Sequence, residues 1–176
     1  MTSLMTALVM AVAIAPAQDP MMPAPPAELK NLSWMLGDFT TDLKMFEPGQ
    51  TEGMPVPGTT TAKMSLGDVY IESRFEADMG GMKMTGLQMT SYDPAKKEYV
   101  AWWFDSMAPG VLEMRGQLTG QVLVLKSQPI EIPGMPGKHA FRATYGLKGT
   151  GKYLFRLEMN SGEGFYKMME GMMVRK

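Results

Sequence analysis

The chain has no cysteine and a single histidine, His139. Without cysteine there can be no disulfide, no thiolate zinc site, no cysteine nucleophile and no lipid attached through sulfur. One histidine leaves no cluster for zinc, and no Gly-x-Ser-x-Gly elbow supports a serine triad. No glycine-rich loop precedes a helix to hold phosphate. Charge of one sign is missing too. The 17 basic and 18 acidic side chains are interspersed and leave a net charge of −1. There is no basic stripe for nucleic acid and no lysine or arginine run to hold an anionic membrane.

Long apolar runs are almost absent. The exception is Leu4 to Ala15, "LMTALVMAVAIA", followed by Ala15-Pro16-Ala17 and the polar pair Gln18-Asp19. Its length and the small residues at its end predict a secretory signal peptide (1–17) cleaved after Ala17. It is too short for an ordinary membrane-spanning helix, so a secreted or periplasmic protein without stable membrane anchoring is expected. A buried first helix is the alternative, because "MTS" carries no Lys or Arg. Pro20, Pro23, Pro25 and Pro26 make residues 18–26 a proline-rich linker, and residues 27–176 form the domain. At 176 residues the whole chain can bury one core.

What is present is strand and turn. "ELKNLSWMLG" sets Leu29, Leu32 and Leu36 at helical spacing with Gly37 at the capping position, one short helix. From Asp38 onward apolar residues alternate: in "VYIESRFEAD", Val69, Ile71, Phe75 and Ala77 share one face. Further strands are expected at 38–46, 59–66, 99–105, 111–118, 121–128, 139–147, 152–159 and 165–174. A hairpin through residues 84–107 turns at Asp93-Pro94, and Gly- or Pro-bearing separators lie between strands. Nine or ten strands joined by tight turns predict an all-β fold, a single up-and-down antiparallel barrel whose closure removes sheet edges. A β-sandwich is the competing arrangement. Trp102, Trp103 and Phe104 stand in a row, which puts large aromatics on both faces of one strand. A barrel accommodates this if one set lines the lumen and the other is covered from outside. Alternation groups Tyr99, Ala101, Trp103 and Asp105 on one face, but does not say which face is inside.

The stretch "GLQMTSYDPAKKEYVAWWFDS", with "ELKNLSWMLGDF" before it and "MMEGMMVRK" at the end, resembles a bacterial family catalogued as domain of unknown function 1579. That family is itself similar to small lipocalin-like barrels. Its pattern of Gly-Tyr-Asp, Lys-Tyr-Val and Trp-x-Asp-Ser is met here by Ser91-Tyr92-Asp93, Glu98-Tyr99-Val100 and Trp103-Phe104-Asp105-Ser106. The first glycine and the lysine are replaced. The resemblance implies a barrel and export, and turns Trp103 and Asp105 inward. It also implies a calycin-type closure in which Arg175, from the last strand, packs across Phe39, which follows Gly37 and stands where such folds usually carry Trp.

The expected partner is therefore a small, mostly apolar ligand in the lumen, bound by Tyr99, Trp103, Asp105, Glu72 and Tyr92, with no cofactor and no metal. The alternatives are an enzyme using in-barrel carboxylates, drawn from Glu72, Glu76, Asp105, Glu113 and Glu170, and an assembly module pairing subunits as a homodimer through outer aromatics. His139 leads a strand and could hold haem, but a core or surface histidine is the simpler reading. The 21 methionines include "MGGMKM" and "KMMEGMM", whose thioethers would suit Cu(I). Their spread along the chain favours flexible packing or an adaptable apolar pocket over a copper site.

Overall fold

The computed structural model describes residues 24–162 and 164–176. The expected signal peptide, and the linker up to residue 23, lie outside the described residues. Among these residues the order is a 3₁₀ helix, Ala27–Met35, then eleven strands: β1 Gly37–Met45, β2 Met54–Ser65, β3 Tyr70–Asp78, β4 Lys83–Asp93, β5 Glu98–Asp105, β6 Leu112–Thr119, β7 Val122–Lys126, β8 Ile130–Ile132, β9 Met135–Leu147, β10 Lys152–Asn160 and β11 Phe165–Arg175.

Every strand pairing is antiparallel. Strands β1 to β7 pair in sequence, β7 passes to β9, and β9–β10, β10–β11 and β11–β1 complete the circle. The result is a closed ten-stranded antiparallel barrel, with β8 a short extra ribbon on β9. The fold fits a lipocalin-like description. Barrel diameter grows with strand number, and eight strands already leave room to hold one small ligand. Ten leave more.

The strands form where alternation is strict. In β1, Phe39, Thr41 and Leu43 are buried while Asp38, Thr40 and Asp42 are exposed. Two segments escaped the sequence reading. β2 begins at Met54, five residues earlier than expected, and passes through Pro55 and Pro57. Residues 54–57 pair with β1 alone, since pairing with β3 starts at Gly58. Their other edge is unpaired and can carry residues that lack an N–H. The stretch "IPGMPGK", between the strands expected at 121–128 and 139–147, is itself the β8–β9 hairpin, turning at Pro133-Gly134.

The helix differs in kind from the one expected. A 3₁₀ helix has three residues per turn, so Leu29, Leu32 and Met35 fall on one line, and all three are buried. Leu36 is already extended, and Gly37 is the first residue of β1 at φ 120° rather than a helix cap. The helix plugs one end of the barrel: the Tyr99 hydroxyl donates to the Glu28 carbonyl at 2.9 Å, and Trp34 meets Tyr153 edge-on at 5.3 Å. Tyr153 also meets Phe39 edge-on at 5.2 Å. Phe39 and Arg175 are register partners across the β1–β11 seam, and the guanidinium carbon lies 4.9 Å from the Phe39 ring centre. Gly37 matters here because a Cβ would overlap the Arg175 guanidinium.

Candidate functional site

The barrel encloses a cavity of about 490 Å³, within the 300–1,000 Å³ range of small-molecule sites. It reaches the β5–β6 loop, where Ala108, Pro109 and Val111 line it, and the β8 ribbon, where Ile130 and Ile132 do. The 3₁₀ helix occupies the opposite end and contributes Met35.

Methionine dominates the wall. Nine of the thirty lining residues are methionine, against 21 in the whole chain of 176. They come from five elements and two loops between residues 35 and 173, so a spread along the sequence becomes a concentration in space. Met168 and Met169, although adjacent, both face the cavity. The register of β10 with β11 slips between Leu157 and Glu158, which leaves Met168 as the extra residue of a bulge. Long, polarizable thioether side chains give such a wall freedom to adapt to its occupant.

Trp103 and Asp105 line the cavity from β5. The Trp103 indole N–H donates to Asp105 Oδ2 at 2.8 Å, while Asp105 Oδ1 accepts the Met107 and Ala108 N–H groups at 2.8 and 2.9 Å. Asp105 thus pins the loop at the cavity's edge and fixes the indole. The Trp103 ring lies over Gly86, where a Cβ would overlap it.

The other expected ligand contacts do not reach the cavity. Tyr99 and Tyr92 face inward but pack edge-on against each other at 5.1 Å near the plugged end. Glu72 turns outward, accepting from Arg74 Nε at 2.8 Å and the Ser65 hydroxyl at 3.2 Å. Among the remaining carboxylates, Glu113 pairs with Arg115, and Glu170 with Lys167 and Arg156. Glu76 is exposed on the outer face of β3. Asp105 is the one Asp or Glu among the described residues lining the cavity, so no carboxylate pair is assembled there. His139, on β9 opposite Ile130 of β8, is buried with Nε2 3.0 Å from the Pro136 carbonyl, and is not among the lining residues.

The outer face of β5 is covered by side chains of neighbouring strands. The Trp102 indole N–H donates to Glu113 Oε2 at 2.9 Å, and the ring tilts against Tyr70. Across the β4–β5 register it meets Met89, and Phe104, 40% exposed, meets Leu87. The apolar outer groups on β4 have an inner counterpart in polar ones. Gln88 and Thr90 face inward, and the buried Tyr145 hydroxyl donates to Gln88 Oε1 at 2.7 Å while Gln88 Nε2 donates to Thr90 Oγ1 at 2.9 Å. Burial pushes the Tyr145 hydroxyl pKa well up, so it stays protonated. The sequence reading had selected neither Gln88 nor Tyr145.

A family model described as a protein of unknown function, DUF1579, matches residues 24–175. The chain belongs to the DUF1579 family. The match begins at the first described residue and runs through all eleven strands, so the DUF1579 region is the plugged barrel as a unit. No curated protein matches the chain.

Proposed function

We propose that this DUF1579 barrel binds one small, mostly apolar molecule in its lumen. The observation that carries the reading is the cavity itself, about 490 Å³ walled mainly by methionine, aliphatic and aromatic side chains. A void of that size with an apolar wall forfeits dispersion contacts which an apolar occupant would restore. Methionine gives the wall a shape that can follow the occupant.

The test exploits two adjacent tryptophans on opposite faces. With N-phenyl-1-naphthylamine as a neutral fluorescent probe, Trp103→Ala should weaken binding tenfold or more, since it removes an aromatic wall. Trp102→Ala should leave probe affinity within about twofold and act on stability, because its indole serves Glu113 and Tyr70 outside the barrel. Equal loss of affinity from both substitutions would place the probe elsewhere and overturn the reading.

We further propose that the protein works outside the cytoplasm, on the strength of the apolar run Leu4–Ala15 and Ala15-Pro16-Ala17. Mass spectrometry of the protein recovered from its host should give an N-terminus at Gln18 or within the proline-rich segment after it. A soluble cytoplasmic species retaining Met1 would contradict this.

A further inference from the structure

We propose that the lumen selects a neutral amphiphile, an apolar molecule bearing one hydroxyl or carbonyl oxygen, and holds that oxygen at mid-height against Thr60, Gln88 and Tyr145. The proposal rests on the lumen-binding reading and narrows it to a ligand class.

Three observations lead there. The first is an orphan. Thr60 lines the cavity, is only 5% exposed, and its hydroxyl has no hydrogen-bond partner among the described residues. A hydroxyl left so costs free energy unless something bonds to it. The second is spare capacity beside it. Gln88 uses its oxygen on Tyr145 and one amide hydrogen on Thr90, which leaves a second amide hydrogen. The Tyr145 oxygen, having donated its hydrogen, can still accept. The register makes these groups neighbours: Ser73 is directly opposite Gln88, and Thr60 is one diagonal step away, opposite Phe75. Directly opposed side chains share a face, and diagonal ones lie within reach of each other. Thr60, Ser73 and Gln88 therefore form a polar band across β2, β3 and β4, all lining the cavity, with Tyr145 bonded to it from β9.

The third observation is charge. Among the described residues lining the cavity there is no Lys, Arg or His. A carboxylate or phosphate head would be desolvated there with no counter-charge to offset the loss of water. Asp105 does not invite a cation in its place, because both its oxygens already hold the Trp103 indole and the β5–β6 loop. A neutral oxygen fits what remains. Its lone pairs accept from Gln88 and Thr60, and a hydroxyl hydrogen can go to Tyr145. Thr41 on β1, the diagonal neighbour of Thr60, has a second hydroxyl without a partner among the described residues but does not line the cavity.

Displacement of N-phenyl-1-naphthylamine by 1-dodecanol and by dodecanoate at pH 8 tests this with one chain length and two head groups. The alcohol should compete at concentrations at least tenfold lower than the carboxylate. Thr60→Val with Gln88→Leu should weaken the alcohol about tenfold more than it weakens the probe. Thr60→Val alone should melt at the same temperature as the parent or higher, since it removes an unsatisfied hydroxyl without changing shape. Equal competition by alcohol and carboxylate, or an alcohol affinity unmoved by the double substitution, overturns the proposal. A lowered melting temperature for Thr60→Val gives the hydroxyl a structural bond and removes it from the site. Failure of the probe itself to bind refutes the lumen reading, and this proposal with it.

Discussion

Phe39→Ala is expected to destabilise the barrel by about 3–5 kcal/mol, the usual cost of deleting a fully buried aromatic ring. Phe39 is 0% exposed and sits where three parts of the chain meet. Tyr153 from β10 packs on it edge-on, Tyr153 in turn holds Trp34 of the plugging helix, and Arg175 of the last strand lies over the ring. Removing the ring takes support from the β1–β11 seam and from the helix at once, and the cavity it leaves cannot be filled by strands fixed in a closed ladder. Arg175→Ala should cost less, about 0.5–2 kcal/mol, because it removes a cation from an aromatic face and leaves the core intact. Urea unfolding followed by circular dichroism measures both. Equal losses, or a Phe39→Ala loss below about 1 kcal/mol, would mean that the seam is not held in this way.

Gly86→Val should reduce binding of N-phenyl-1-naphthylamine by a hundredfold or more and lower stability by about 1–3 kcal/mol through overpacking. Gly86 is opposite Asp105, and the Trp103 ring lies across it. The indole is tied to Asp105 by a 2.8 Å hydrogen bond. A valine there drives the ring off the wall, and the nearest free volume is the lumen that the probe needs. Gly86→Val combined with Trp103→Ala should recover part of the stability, since the clash is gone. A Gly86→Val protein that binds like the parent would show that Trp103 does not form the wall.

Much of the barrel was legible in the sequence because alternation and turn residues are local signals. Phe39, Thr41 and Leu43 against Asp38, Thr40 and Asp42 announce a strand without reference to anything distant. Closure itself followed from the edges a flat sheet would expose, but the residues that meet there, 39 and 175, were legible only through the resemblance, since they lie at opposite ends of the domain. β8 was missed because three residues between prolines carry too little pattern, and the start of β2 was missed because proline argues against strand unless one edge is free.

The site was less legible, for a physical reason. Whether a lumen is filled or open depends on side-chain volumes summed around a ring of ten strands, and no window along the chain contains that sum. The polarity of β4 is also inverted. Leu87 and Met89 face out and Gln88 and Thr90 face in, so the apolar set points away from the core. The decisive information is register: Thr90 opposite Ile71 and Gly86 opposite Phe75 fix the inner face. Met168 and Met169 were hidden likewise, because only the bulge lets both face inward. Glu72 was selected as a carboxylate within a strand, but its parity with exposed Arg74 and Glu76 sends it outward.

The most direct test of the central claim is nitrogen-edited NMR of the protein during addition of N-phenyl-1-naphthylamine. Binding in the lumen predicts saturable shifts at the Trp103 indole N–H and the Gln88 side-chain amide, with the Trp102 indole N–H, bonded to Glu113 outside, left in place. Shifts at Trp102 with Trp103 and Gln88 unmoved, or no saturable shift at any of the three, would contradict it.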